Sequence, residues 1–61
     1  MNDGNADYLM QKILIVEDEP DVAELVAFNL SRAGYATVIA HDGLSGLESA
    51  WKEKPDLVLL D

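Results

Sequence analysis

The chain has 61 residues, of which 12 are acidic and 4 basic, so its formal net charge is −8. A negative charge of this size argues against a nucleic-acid or membrane-surface binding site in this segment. Without cysteine there is no disulfide or thiolate metal site, and no apolar run approaches the roughly 20 residues of a transmembrane helix, so we expect one small domain in a reducing, cytoplasmic setting.

Residues 1–11 are predicted to form a flexible tail. The segment from Met1 to Asp7 is polar and rich in turn formers, and it offers too little apolar surface to fold by itself. Met10 lies just before the first predicted strand, so it is an alternative biological start to Met1. The folded domain is expected to comprise residues 12–61.

The first strand is predicted over Lys12–Val16. Its residues 13–16 are all apolar and run directly into three acids, Glu17–Glu19. An unbroken apolar run is typical of a parallel strand buried on both faces. Pro20 suits the first turn of a helix and would break a central strand. The three acids should therefore occupy the turn at the carboxyl end of the strand.

The first helix is predicted from Pro20 to Ala33, with Gly34 as the left-handed residue that follows its end. Apolar residues at helical spacing predict its inward face. They are Val22, Leu25, Val26, Leu30 and Ala33.

A shorter second strand, Tyr35–Ala40, is less apolar and suits the edge of a sheet. Asp42 is the predicted N-cap of a second helix over Leu44–Glu53, which Pro55 ends. The residues expected to be buried on this helix are Leu44, Leu47, Ala50 and Trp51.

The last residues, Leu57–Leu60 followed by Asp61, repeat the pattern of the first strand. The order βαβαβ predicts right-handed crossovers and a parallel sheet. The predicted fold class is α/β, a flavodoxin-like, doubly wound half-domain with three parallel strands in the order 2-1-3. The third strand is apolar enough to need cover on both faces and both edges. We therefore expect the isolated chain to be molten, oligomeric or dependent on further residues.

This winding makes the first and third strands neighbours, about 4.8 Å apart. Glu17 and Asp18 should then lie beside Asp61. Three adjacent carboxylates repel one another unless a cation neutralises them, and Mg²⁺ prefers such oxygen ligands. Acids at helix N-termini are also common without any ion. From the residues alone, a shared magnesium site and a set of exposed acids both remain open.

The chain resembles the receiver domain of bacterial two-component response regulators. Three segments carry the resemblance: ILIVEDEP at 13–20, HDGL at 41–44 and PDLVLLD at 55–61. It covers residues 12–61, and the motifs are specific in this order and spacing. The sequence is also similar to the subfamily in which the receiver precedes a winged-helix DNA-binding domain.

The resemblance implies a phosphoprotein of a phosphorelay that regulates transcription. It implies that Asp61 is the phosphoacceptor and catalytic residue, that a histidine kinase donates the phosphoryl group, and that Glu17 and Asp18 bind Mg²⁺ together with Asp61. The family's later elements, a hydroxyl residue and a lysine at two further strand ends, follow the equivalent of Asp61. The resemblance therefore implies the amino-terminal half of a receiver, which is not an enzyme and is not competent alone.

Two alternatives remain. The chain could be a structural fragment that assembles with itself or complements another half. It could also be a magnesium-dependent phosphohydrolase, although that class usually has two aspartates flanking one residue at its nucleophile strand, and Glu17–Glu19 does not supply them. A nucleotide-binding module would need a glycine-rich turn after the first strand, and none is present there. His41 has no second histidine or cysteine with which to form a zinc site.

Overall fold

The computed structural model describes residues 10–61, so most of the predicted tail, residues 1–11, lies outside the described part of the chain. All five predicted elements are confirmed, and their bounds differ from the prediction by no more than one residue. The elements are β1 (Lys12–Val16), α1 (Pro20–Arg32), β2 (Ala36–Ala40), α2 (Gly43–Glu53) and β3 (Leu57–Leu60).

The three strands form one parallel sheet in the order β2-β1-β3, which confirms the predicted fold class. Val16 of β1 lies opposite Ala40 of β2 and Leu60 of β3. The central strand forms the core, since Ile13, Leu14 and Ile15 are at most 4% exposed. The unbroken apolar run of β1 is therefore explained by burial on both faces.

Helix α1 begins at Pro20, whose fixed φ suits the first helical turn. It ends as predicted at Gly34, which has a φ of +101°. The N–H of Gly34 donates to the Ser31 carbonyl at 3.0 Å, and the N–H of Tyr35 donates to the Leu30 carbonyl at 3.1 Å. This Schellman arrangement satisfies carbonyls that the helix leaves free and turns the chain into β2.

Helix α2 has the predicted cap, because an Asp42 side-chain oxygen accepts the Ser45 N–H at 2.7 Å. The helix approaches β1 closely through Gly46, which is buried. A Cβ atom at Gly46 would lie 2.9 Å from Cγ2 of Val16. Glycine therefore sets how near the helix can come to the carboxyl end of β1.

The inward faces predicted for the helices are partly wrong. Helix α1 buries Ala23 rather than Leu25, which is 63% exposed, and α2 exposes Trp51 to 74%. The other predicted inward residues that are exposed are Val22, Ala33, Leu44 and Leu47, whereas Val26, Leu30 and Ala50 are half-buried. Small residues face the sheet, and several larger ones lie beside β3, where nothing among residues 10–61 covers them.

Strand β3 is exposed along its whole length despite its apolar sequence. Its exposure ranges from 36% at Leu59 to 76% at Leu60. Within the described residues its outer edge has no partner strand. Neither helix in residues 10–61 has both the length and the hydropathy to cross a membrane.

Candidate functional site

The three acids singled out from the sequence meet at the carboxyl edge of the sheet. The N–H of Asp61 donates to the Val16 carbonyl at 3.2 Å, which extends the pairing of β3 with β1 by one residue. One carboxylate oxygen from each of Glu17, Asp18 and Asp61 lies within 4.8 Å of the other two. The adjacency of β1 and β3 thus produces the predicted cluster, which we call the acidic cluster.

The members of the acidic cluster differ in burial. Glu17 is only 6% exposed, whereas Asp18 and Asp61 are exposed. The main chain of Glu17 continues the ladder toward β2, because its N–H donates to the Ala40 carbonyl at 2.9 Å. Its Oε2 accepts the Glu19 N–H at 3.1 Å. Glu17 is therefore held from both its backbone and its side chain, and the two aspartates remain open to solvent.

The pKa of Glu17 lies above its ordinary value of 4.5. The largest single influence, the Glu19 N–H, lowers this pKa, but burial and the neighbouring acids Asp18 and Asp61 together outweigh it. Burial and like charges both disfavour the ionised carboxylate. The raised pKa of Glu17 is thus consistent with the close approach of the Asp18 and Asp61 carboxylates.

His41 extends the site on the β2 side. Its Nδ1 lies 3.2 Å from the Glu17 carbonyl oxygen, and since a carbonyl can only accept, this nitrogen acts as the donor. His41, Asp42 and Gly43 line the same recess as Asp18 and Asp61. The Ser45 N–H lowers the pKa of Asp42. The His41 contact could not be predicted from the sequence, because its partner is a main-chain carbonyl.

Two acids near the cluster do not belong to it. Glu19 is the N-cap residue of α1 and contributes its N–H to Glu17, and Asp21 lies in the first helical turn. Both side chains are exposed. Their positions fit the general preference for negative charge at helix N-termini.

The acidic cluster fits a hard divalent cation. All three of its donors are carboxylate oxygens, the ligands that Mg²⁺ prefers. Asp18 and Asp61 both raise the pKa of Glu17, and added positive charge would offset that effect. A neutral imidazole or a thiolate, which softer metals favour, is not among the grouped donors in the described residues.

Comparison with known proteins gives a match over most of the chain. The family model described as the response regulator receiver domain matches residues 13–61. The alkaline phosphatase synthesis transcriptional regulatory protein PhoP of Bacillus subtilis (strain 168) is 47% identical over 51 residues. The aligned region covers 84% of this chain and 21% of that protein, so the chain spans about a fifth of the length of this curated relative. No solved structure gives a significant match.

Proposed function

This chain belongs to the response regulator receiver domain family, and from that membership we propose that it accepts a phosphoryl group on Asp61. Receiver domains act in phosphorelay signalling rather than as conventional enzymes. The observation that carries the proposal is the convergence of one oxygen from each of Glu17, Asp18 and Asp61 within 4.8 Å. This is the arrangement needed to combine a carboxylate nucleophile with a cation site.

The proposed roles are those that the family resemblance implies, and the positions and burial of the residues support them. Glu17 and Asp18, at the end of β1, would hold Mg²⁺ together with Asp61. The bound ion supplies positive charge that offsets the carboxylates and the oxygens of the incoming phosphoryl group. Asp61 is exposed at the end of β3, where a donor can approach it. The Glu19 N–H fixes one oxygen of Glu17, which preorganises the metal-binding side of the site.

The proposed reaction is a transfer between two side chains. An oxygen of Asp61 attacks the phosphorus of a phosphohistidine on a kinase, and an O–P bond forms as the P–N bond breaks. The released imidazole takes up a proton, and Asp61 becomes an acyl phosphate. Catalysis of this kind depends mostly on positioning and on charge neutralisation.

The proposal extends to domains and partners. Residues 12–61 are the receiver portion, a histidine kinase is the phosphodonor, and the setting is cytoplasmic. The resemblance to a transcriptional regulatory protein supports a DNA-binding output domain controlled by this segment in a longer protein.

The decisive experiment is phosphorylation by acetyl phosphate with Mg²⁺ of the longer protein that contains this segment, because the segment by itself is not expected to be competent, followed by intact mass spectrometry. We expect a single base-labile phosphoryl adduct that requires Mg²⁺ and that Asp61→Asn abolishes. Asp18→Asn should strongly reduce the rate by weakening the metal site. Asp21→Asn is the matched control, because Asp21 is an exposed acid at the same edge but lies outside the acidic cluster.

Three results would contradict this function. An adduct that persists in Asp61→Asn would place the chemistry elsewhere, and an equal loss in Asp21→Asn would reduce the effect to net charge. Continuous turnover of phosphate esters would instead support the phosphohydrolase alternative. Binding of beryllofluoride with Mg²⁺ offers an independent check, since it should also require Asp61.

A further inference from the structure

The main chain of Glu17 is held by two consecutive residues where β2 ends. Its N–H donates to the Ala40 carbonyl at 2.9 Å, and its carbonyl oxygen lies 3.2 Å from Nδ1 of His41. Adjacent strands of a sheet are normally joined by main-chain hydrogen bonds alone. Here a side chain contributes the second of the two bonds that hold the peptide groups of Glu17.

The His41 side chain fills a gap in the ladder between β1 and β2. At the amino end of this pair, the Ala36 N–H donates to the Gln11 carbonyl at 2.9 Å. Hydrogen bonds are evenly spaced along parallel strands, so the same spacing makes the Asp42 N–H the expected donor to the Glu17 carbonyl. In the described part of the chain, however, no main-chain N–H is bonded to that oxygen. The imidazole therefore takes the place of a missing main-chain donor.

The ladder ends there because the chain leaves β2 to begin α2. Asp42 is the N-cap of α2, and its side-chain oxygen accepts the Ser45 N–H at 2.7 Å. On the other side of His41, Ala40 is buried in the core. Its two neighbours thus fix the main chain of His41, so that little further ordering is needed for its imidazole to reach Glu17.

The hold on the Glu17 main chain matters because of what the Glu17 side chain does. Its carboxylate supplies one of the oxygens of the acidic cluster that lie within 4.8 Å of one another, and its Oε2 accepts the Glu19 N–H at 3.1 Å. Carboxylates this close repel one another, so groups that hold Glu17 in place oppose the separation of the cluster. Hydrogen bonds behind a metal ligand commonly orient it and raise the affinity for the metal.

We propose that His41 is a positioning residue of the acidic cluster, which holds Glu17 for Mg²⁺ through a hydrogen bond from Nδ1–H to the Glu17 carbonyl. This role rests on the proposed function, in which Glu17 binds the ion. The imidazole acts through its hydrogen-bond donor rather than through its charge, since a positive charge beside the site would repel a divalent cation. The neutral imidazole must then carry its proton on Nδ1.

The position of this proton can be observed directly, without any bound metal. In the longer protein that contains this segment, labelled with ¹⁵N-histidine, a long-range ¹H–¹⁵N correlation spectrum in mildly alkaline buffer distinguishes the two neutral forms of each imidazole. The signal that His41→Asn removes belongs to His41, and we expect it to show the Nδ1–H form. The Nε2–H form at this residue would overturn the proposal.

Substitutions of His41 separate the donor from the rest of the imidazole. Asparagine carries its amide nitrogen on Cγ, as the imidazole carries Nδ1, whereas glutamine carries its amide nitrogen one carbon further along. In an amide NMR titration with Mg²⁺ as the only added ligand, His41→Ala and His41→Gln should raise the Kd by about three- to tenfold, a smaller loss than the roughly 10–100-fold typical of donors to a ligand side chain. His41→Asn should bind Mg²⁺ about as tightly as the parent protein.

The outcomes distinguish failure of this role from failure of the proposed function. If Mg²⁺ shifts no amide signal of the parent protein, both are wrong. If the parent protein and His41→Ala bind Mg²⁺ equally well, only the role of His41 is wrong, and a lower urea midpoint of that variant would then mark a purely structural contact. Equal losses of affinity in His41→Asn and His41→Ala would exclude the donor, and tighter binding by His41→Ala would show that the imidazole acts mainly as a repelling positive charge.

Discussion

Strands β1 and β3 have nearly the same sequence pattern and opposite surroundings. Each is an unbroken apolar run that ends in an acid. Leu14 in β1 is 0% exposed, whereas Leu60 in β3 is 76% exposed. The difference arises from position in the sheet, because β1 pairs on both edges and β3 pairs on one. An apolar run therefore indicates that a strand is suited to burial, but the extent of its burial depends on its neighbours in the sheet.

The same comparison separates two kinds of site. Glu17 follows the buried strand and is itself buried, with its carboxylate held by the Glu19 N–H. Asp61 follows the exposed strand and is open to solvent. A held, buried acid suits the binding of a cation, and an exposed acid suits reaction with a large partner. The asymmetry of the sheet is thus consistent with the division of roles proposed for the two residues.

The largest expected effect comes from truncating the same residue type in the two strands. Leu14→Ala should destabilise the fold by about 3 kcal/mol, because it removes buried methyl groups and leaves a cavity. Leu60→Ala should change stability by no more than about 0.5 kcal/mol, as expected at an exposed site. Urea denaturation followed by circular dichroism measures both. Equal losses would show that β3 is covered in solution.

A smaller effect is expected at the contact between α2 and β1. Gly46→Ala should destabilise the fold by about 1–3 kcal/mol through overpacking against Val16. This loss occurs even though alanine favours a helix by about 1 kcal/mol. Gly43→Ala is the matched control in the same helix, because a Cβ there meets nothing within 4 Å. It should be neutral or slightly stabilising, and a stabilising Gly46→Ala would contradict the close packing.

The helices and strands could be located from the sequence because their boundaries depend on local chemistry. Pro20 begins α1, Gly34 turns the chain after it, and Asp42 caps α2, and each of these residues acts through its own backbone or a nearby N–H. The sheet order followed from general rules of winding, and it placed Asp61 beside Glu17. Proximity in the cluster was therefore predictable without coordinates.

The packing of the helices was less predictable. Leu25 and Trp51 fit an apolar stripe, but Ala23 and Gly46 face the sheet, because close approach of helix and strand favours small side chains. Helical periodicity identifies the apolar face of a helix, but it does not show how closely the helix approaches the sheet or which side-chain sizes fit between them. The contact of His41 with the Glu17 carbonyl depends on two loops meeting, which no spacing in the sequence reports.

The smallest expected effect concerns the electrostatic coupling of Glu17, which follows β1, with Asp61, which follows β3, and it is seen in the pKa of Glu17. Because the pKa of Glu17 is raised above 4.5, the folded chain holds a proton more tightly than the unfolded chain does. The resulting stability is fully present below the unfolded pKa and is lost as pH rises through the folded pKa. Asp61→Asn removes one neighbouring charge, so it should lower the pKa of Glu17 in a carboxyl NMR titration. The same variant should also reduce the gain in the urea midpoint that the chain shows at acidic pH. Asp21→Asn changes an acid outside the acidic cluster and should leave that gain unchanged. Identical dependence of the urea midpoint on pH in the two variants would show that Glu17 and Asp61 are not electrostatically coupled.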